Sequence, residues 1–388
     1  MYWINKVLGN GENKEAMQYE KAALAGDATA MYQLALMYEE GKGVKKDEEQ
    51  ATKWYERAAE AGNASAMNNL GYMYEHGLFV SKDEGKAVEW YERAAKAGNT
   101  SAMNNLGYMY ERGVGVIKNE ECAVEWYRKA ATAGHVTAMF NLANLYETGL
   151  GVSKDGATAA KWYEKAAMAG DIDAMRKLAY LYREGIGVGK DEEQAVRWYE
   201  KAAKAGNVIA MNSLGHMYEE GKGVRKDEEQ AVKWYEKAAM AGYALAMYNL
   251  ALMYEEGTGV NKDEALAIKW YERAAVAGDV ISMNTLALKY EEGCGVSKDE
   301  EQATKWYEQA AKAGNSDAMT QLGHRYREGI GVNKDETIAV KWYEKAAMAG
   351  DGTAMSCLAY MYVNGQGVEK DAKLAAKWYV KAKEILGE

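Results

Sequence analysis

The chain has 388 residues, a net charge of −10, three cysteines and no proline. That charge disfavours nucleic acid and anionic membrane as partners, because either would need a basic face to replace the counterions it releases. Apolar residues make up 48% of the chain, enough for a continuous core, but no apolar run is long enough to cross a bilayer.

The opening residues, Met1-Tyr2-Trp3-Ile4-Asn5-Lys6, carry one basic residue and no apolar stretch of signal-peptide length. Cys122, Cys294 and Cys357 are not spaced as a disulfide framework and read as free thiols. Both observations point to a cytoplasmic setting; a secreted or periplasmic one stays open if the N-terminus has been truncated. Met1-Tyr2 is in register with Met37-Tyr38, and Tyr19 with Tyr55, so residues 1–26 read as a partial, degenerate repeat. That repeat is either an N-terminal cap or the edge of a shortened chain.

From there a Trp-Tyr pair recurs every 36 residues, at Trp54, Trp90, Trp126, Trp162, Trp198, Trp234, Trp270, Trp306, Trp342 and Trp378. A fixed period of this length is the mark of a solenoid, in which each unit must stack on its neighbours to bury its apolar face. In the unit 63–98, Asn63 caps a first helix (helix A) whose Ala66, Met67, Leu70, Gly71 and Tyr74 share one face, ending near Gly77. A second helix (helix B) follows the Lys-Asp turn. There the equivalent Asp47, with Gln50 three residues on, resembles a capping box. Ala87, Trp90, Tyr91, Ala94 and Ala95 line its apolar face and Gly98 closes it.

The Trp-Tyr pair reads as a packing device, and the methionine of each copy (Met31, Met67 and onward) as core filler between hairpins. The glycine turns Gly-x-Gly-Val are interrupted once, at Phe79, which either marks a partner contact or tucks under an adjacent loop. Lys383, in place of the alanine seen at Ala59, reads as a C-terminal cap.

The pattern Ala66-Met67-x-x-Leu70-Gly71-x-Met73-Tyr74-Glu75-x-Gly77, the Gly-Val-x-Lys-Asp turn and the Ala-x-x-Trp-Tyr-x-x-Ala-Ala-x-x-Gly second helix resemble the Sel-one-like repeat, a relative of the tetratricopeptide repeat. The resemblance covers residues 27–386 as ten consecutive repeats. It implies an all-α solenoid, a right-handed superhelix of antiparallel helical hairpins, acting as an adaptor or scaffold for other proteins. The proline usual in the family's turn is missing, and so are the paired cysteines of exported members; the second departure weakens the analogy to that host-facing branch.

Within helix A the variable positions fall three or four residues apart and share a face, expected to line a concave groove. Its candidate partner-binding residues are Asn68, Asn69, Tyr72, Asn104, Asn105, Tyr108, Phe140, Asn141, Asn144, Arg176, Lys177 and Tyr180. Asparagine amides pair with an extended backbone and tyrosines add rigid contact area. Arg176 and Lys177 are the expected anchors for an acidic side chain or a C-terminal carboxylate. Further along, Leu245, Tyr248, Leu252, Ile281 and Leu288 give the same face an apolar character suited to an amphipathic helix or to the array's own neighbouring turn.

Lys289 and Arg325 read as snorkelling surface cations without a role. His216 and His324 are too far apart to share a metal, and neither is expected beside an in-register cysteine or a carboxylate cluster. No nucleophile is placed against a base, and the glycine turns follow helices rather than strands. The expectation is a non-enzymatic protein- or peptide-binding chain without metal or cofactor, as a monomer. An exported host-facing binding protein is the alternative, and a hydrolase is the least supported reading.

Overall fold

The computed structural model describes residues 14–387, and among these it contains twenty-one α-helices and no strand. The register of Met1-Tyr2 lies outside the described residues. The chain divides into two units, residues 1–198 and 199–388, each built from helical hairpins whose extensive contacts join sequence neighbours. This is the all-α solenoid arrangement that the period predicts.

One hairpin shows why the sequence folds as it does. Helix A spans Ala64–His76, with Asn63 Oδ1 accepting from the Ala66 N–H at 2.9 Å. It stops at Gly77, whose φ of 69° lets the N–H groups of Gly77 and Leu78 both return to the Met73 carbonyl. Helix B spans Glu84–Lys96 behind Asp83, which accepts from Lys86 N–H at 3.0 Å. The capping box forms only in half: Asp47 caps Gln50, but its own N–H donates to the Tyr38 carbonyl at 3.0 Å, leaving no backbone donor for the Gln50 side chain. The same bond, Asp83 N–H to Tyr74 carbonyl at 2.9 Å, closes the next turn.

Burial divides the Trp-Tyr pair more sharply than the pattern suggests. Tyr91, Tyr127, Tyr271 and their counterparts from Tyr55 to Tyr343 are sealed in the core, Tyr379 of the last pair being exposed, whereas most of the tryptophans are only partly buried. The tryptophan instead lies under the cation three residues later, as with Arg93 over Trp90 at 4.0 Å and Lys237 over Trp234 at 4.0 Å. Alanines at Ala87, Ala94 and Ala102, fully buried, let the helices approach, and Met67 and Met247 fill gaps at the edge.

The second turn glycine has a steric reason. A Cβ on Gly115 would sit 2.3 Å from the Glu84 carbonyl oxygen of the preceding helix B, at a φ of 68°. Phe79 occupies that place with φ 60°, the only non-glycine in the left-handed region among the described residues. It does not disappear under its neighbour, being 38% exposed beside Leu78.

Candidate partner-binding surface

The candidate stripe lies in the first unit, on helices Ala64–His76, Thr100–Arg112, Val136–Thr148 and Ile172–Glu184. Its asparagines do not stand as independent polar groups. Asn105 Nδ2 donates to Asn68 Oδ1 at 3.2 Å and Asn141 Nδ2 to Asn104 Oδ1 at 3.2 Å, so a ladder links the first three of these helices. The ladder sets the amide orientation. Asn68 and Asn104 spend their oxygens on it, and their Nδ2 donors have no partner among the described residues. Tyr72 and Tyr108, one turn further along, are 48% and 43% exposed.

The rest of the stripe is partly occupied by the protein itself. Asn69 and Asn105 lie against the hydroxyls of Tyr55 and Tyr91, and Asn144 Oδ1 accepts from Tyr163. Phe140 meets the Tyr163 ring edge-on, centroids 5.6 Å apart. The anchor role expected of Lys177 is revised: its ammonium is held by Glu147 at 2.9 and 3.2 Å, so it serves the fold first. Arg176 stays half-buried with its Nε 3.7 Å from Asp173 and without a hydrogen-bond partner there. Tyr180 lies under the Arg183 guanidinium at 5.2 Å.

Beneath the stripe runs a polar lock that pattern reading missed. The buried tyrosine of helix B donates to a glutamate sixteen residues earlier: Tyr91 to Glu75 at 2.7 Å, Tyr127 to Glu111 at 2.8 Å, Tyr235 to Glu219 at 2.6 Å, Tyr271 to Glu255 at 2.8 Å. Burial first, then the adjacent carboxylate, pushes these phenols far above their ordinary value, so they remain donors. The signal was present, since glutamate recurs at Glu39, Glu75, Glu111, Glu147, Glu219, Glu255 and Glu291.

In the second unit the exceptions to this lock explain the odd residues. Arg327 stands where glutamate is expected, and Tyr343 instead pairs with His324 Nδ1 at 2.9 Å, while Cys357 Sγ lies 3.9 Å from His324 Nε2. The expectation that His324 has no neighbouring cysteine is therefore corrected; helix-to-helix register, not sequence proximity, brings them together. Burial raises the Cys357 pKa and lowers that of His324, which keeps a neutral thiol beside a neutral imidazole rather than an activated pair. His216 faces Glu219 and Glu220 of its own helix, and the hydrogen bond to Glu219 raises its pKa. No group of three or more His, Cys, Asp or Glu side chains among the described residues is placed to hold a metal ion.

Lys289 and Arg325 are not surface cations. Arg325 is 2% exposed, bridging Glu291 at 3.0 Å and Glu300 at 3.1 Å, donating to Thr304 at 3.1 Å, and lying 5.0 Å over the Tyr307 ring. Lys289 pairs with Glu255 of the preceding repeat. Both reach the lock from the next helix A, where a methionine such as Met109 sits in other copies.

The Sel1 repeat model matches ten consecutive segments, from residues 28–63 through 316–351 to 353–384. The chain belongs to the Sel1 repeat family. Among solved structures, it is similar to a protective antigen of uropathogenic Escherichia coli strains that displays an SLR fold: 35% identity over 95% of this chain and 79% of that one, TM-score 0.74. It is also similar to a Sel1 repeat protein from Oxalobacter formigenes: 36% identity over 63% of this chain and 96% of that one, TM-score 0.56. No curated protein matches the chain. Sel1 repeats are typically scaffolds for protein interaction, and the family is generally non-catalytic.

Proposed function

We propose that this Sel1 repeat protein is a non-enzymatic scaffold that holds an extended peptide along the helix-A stripe of residues 1–198. The observation that carries this reading is the asparagine ladder, which leaves Asn68 and Asn104 with oriented Nδ2 donors beside the exposed rings of Tyr72 and Tyr108. Two donors one repeat apart suit peptide carbonyls, and tyrosines bury area at small entropic cost. Arg176 supplies a positive end to the same stripe. Affinity capture from the native host followed by titration of Asn68→Ala, Asn104→Ala and Tyr108→Ala tests it; unchanged affinity in all three refutes the subsite.

A host-facing role is the second reading, supported by the similarity to a protective antigen. Fractionating the native organism separates the two: a protein found with the cytosol favours the internal scaffold, one found outside the inner membrane favours export.

A further inference from the structure

The second unit carries a differently built surface on the same side of its A helices. Helices Ala244–Glu256 and Val280–Glu292 lie side by side, tied by the Lys289–Glu255 ion pair. Residues three, four and four apart form one stripe on each: Leu245, Tyr248, Leu252 and Glu256, then Ile281, Asn284, Leu288 and Glu292. Leu245, Ile281 and Leu288 are 38%, 53% and 41% exposed, an apolar strip rather than scattered single residues.

Two polar features say what this strip lacks. Among the described residues the glutamates at its end contact neutral groups, Glu256 the Thr258 hydroxyl at 3.4 Å and Glu292 the Cys294 thiol at 3.6 Å, while their neighbours Glu255 and Glu291 are neutralised by Lys289 and Arg325. Glu256 also lines a cleft of about 640 Å3 in which both lysines are already taken, Lys289 by Glu255 and Lys262 by Glu264 at 2.7 Å. In the strip itself, Asn284 Oδ1 is buried without a donor. The equivalent oxygen of Asn212 is filled from Asn249 at 2.9 Å; for Asn284 the corresponding donor position holds Gln321, which makes no such bond.

We infer that residues 244–292 dock an apolar segment carrying lysine or arginine, its aliphatic side chains on Leu252, Ile281 and Leu288 and a cation at Glu256 and Glu292. An exposed apolar strip ending in uncompensated carboxylates and containing an unfilled acceptor is complementary to a partner that is apolar, cationic and rich in donors. An acidic or purely polar segment meets none of the three. The inference rests on the reading that helix-A faces meet partners, but concerns other residues than the asparagine ladder.

The test uses the full chain and a fluorescent ~18-residue synthetic helix of leucine and lysine, with leucine–glutamate and serine–lysine counterparts, titrated by anisotropy. The leucine–lysine peptide is expected to bind at least about tenfold more tightly than either counterpart. Glu256→Gln with Glu292→Gln is expected to weaken it about tenfold, and Leu288→Asp to remove binding. Removing the same charge from exposed Glu89 and Glu125, by Glu→Gln at both, leaves affinity unchanged. Equal loss in the two double variants, equal binding of the counterparts, or no binding overturns the inference. None of these outcomes touches Asn68, Asn104 or Tyr108, so failure here is distinct from failure of the peptide stripe.

Discussion

Tyr91→Phe isolates the lock between helices. Tyr91 is fully buried and its hydroxyl donates to Glu75 at 2.7 Å, while its ring packs on Gly71, where a Cβ would come within 2.6 Å. Phenylalanine keeps the ring, so no cavity opens; what is lost is the hydroxyl's contact with Asn105 and, as the main part, its hydrogen bond to a charged acceptor, worth about 1.5–3 kcal/mol. Glu75 is half-buried and regains some water, which places the cost at the lower end, about 1.5 kcal/mol. Tyr379 is the control: it is 53% exposed and the glutamate position of its repeat is Val363, so Tyr379→Phe should cost under about 0.5 kcal/mol. Repeat arrays open by nearest-neighbour steps, so the readout is amide exchange in Ala64–His76 and Glu84–Lys96, with the urea midpoint as second measure. In a Glu75→Gln background the effect should shrink by about 1 kcal/mol. Equal effects of Tyr91→Phe and Tyr379→Phe, or no dependence on Glu75, would refute the lock.

The same tyrosines set an alkaline limit. Burial holds the folded pKa of Tyr91, Tyr127, Tyr163 and Tyr235 above the ordinary 10.0, so their contribution is complete below pH 10 and is lost as pH rises toward the folded values, by about 1.4 kcal/mol per unit per tyrosine. Phenolate absorbance should appear together with loss of helicity; smooth ionisation of a still-helical chain contradicts this. Arg325→Ala should cost about 3 kcal/mol, chiefly through the buried volume it empties, with Glu291 losing its cation while Glu300 keeps Lys298 at 2.8 Å; Arg325→Met, which fills that volume with the residue of other copies, should cost under about 1 kcal/mol in urea melts. Gly115→Ala should lose about 2–3 kcal/mol to the Glu84 carbonyl and the positive φ, against about 1 kcal/mol for Gly62→Ala, which has positive φ but open space around it. Comparable thermal shifts for the two would show that the close approach is not what demands glycine.

Much was legible because one period repeats the same local physics: caps at Asn63 and Asp83, the stop at Gly77 and the apolar faces follow from residue type and spacing alone. Exceptions within the repeat were harder. Arg325 and Lys289 look like surface cations on a helical wheel, since spacing along one helix carries no information about which carboxylate a neighbouring helix brings. Asn105 and Asn68, and likewise His324 and Cys357, meet for the same reason, across hairpins rather than within one.

The hairpin, its length and its boundaries were determined by sequence, because helix periodicity, capping and the left-handed glycine act within a few residues of one another. Which polar side chains are spent on the fold and which stay free was decided only when helices came together. Lys177 and Asn144 were taken by Glu147 and Tyr163, whereas the donors of Asn68 and the carboxylate of Glu256 were left over. Hydrogen bonds and ion pairs are short-ranged, so their pairing is settled by tertiary distances of about 3 Å that no one-dimensional pattern contains.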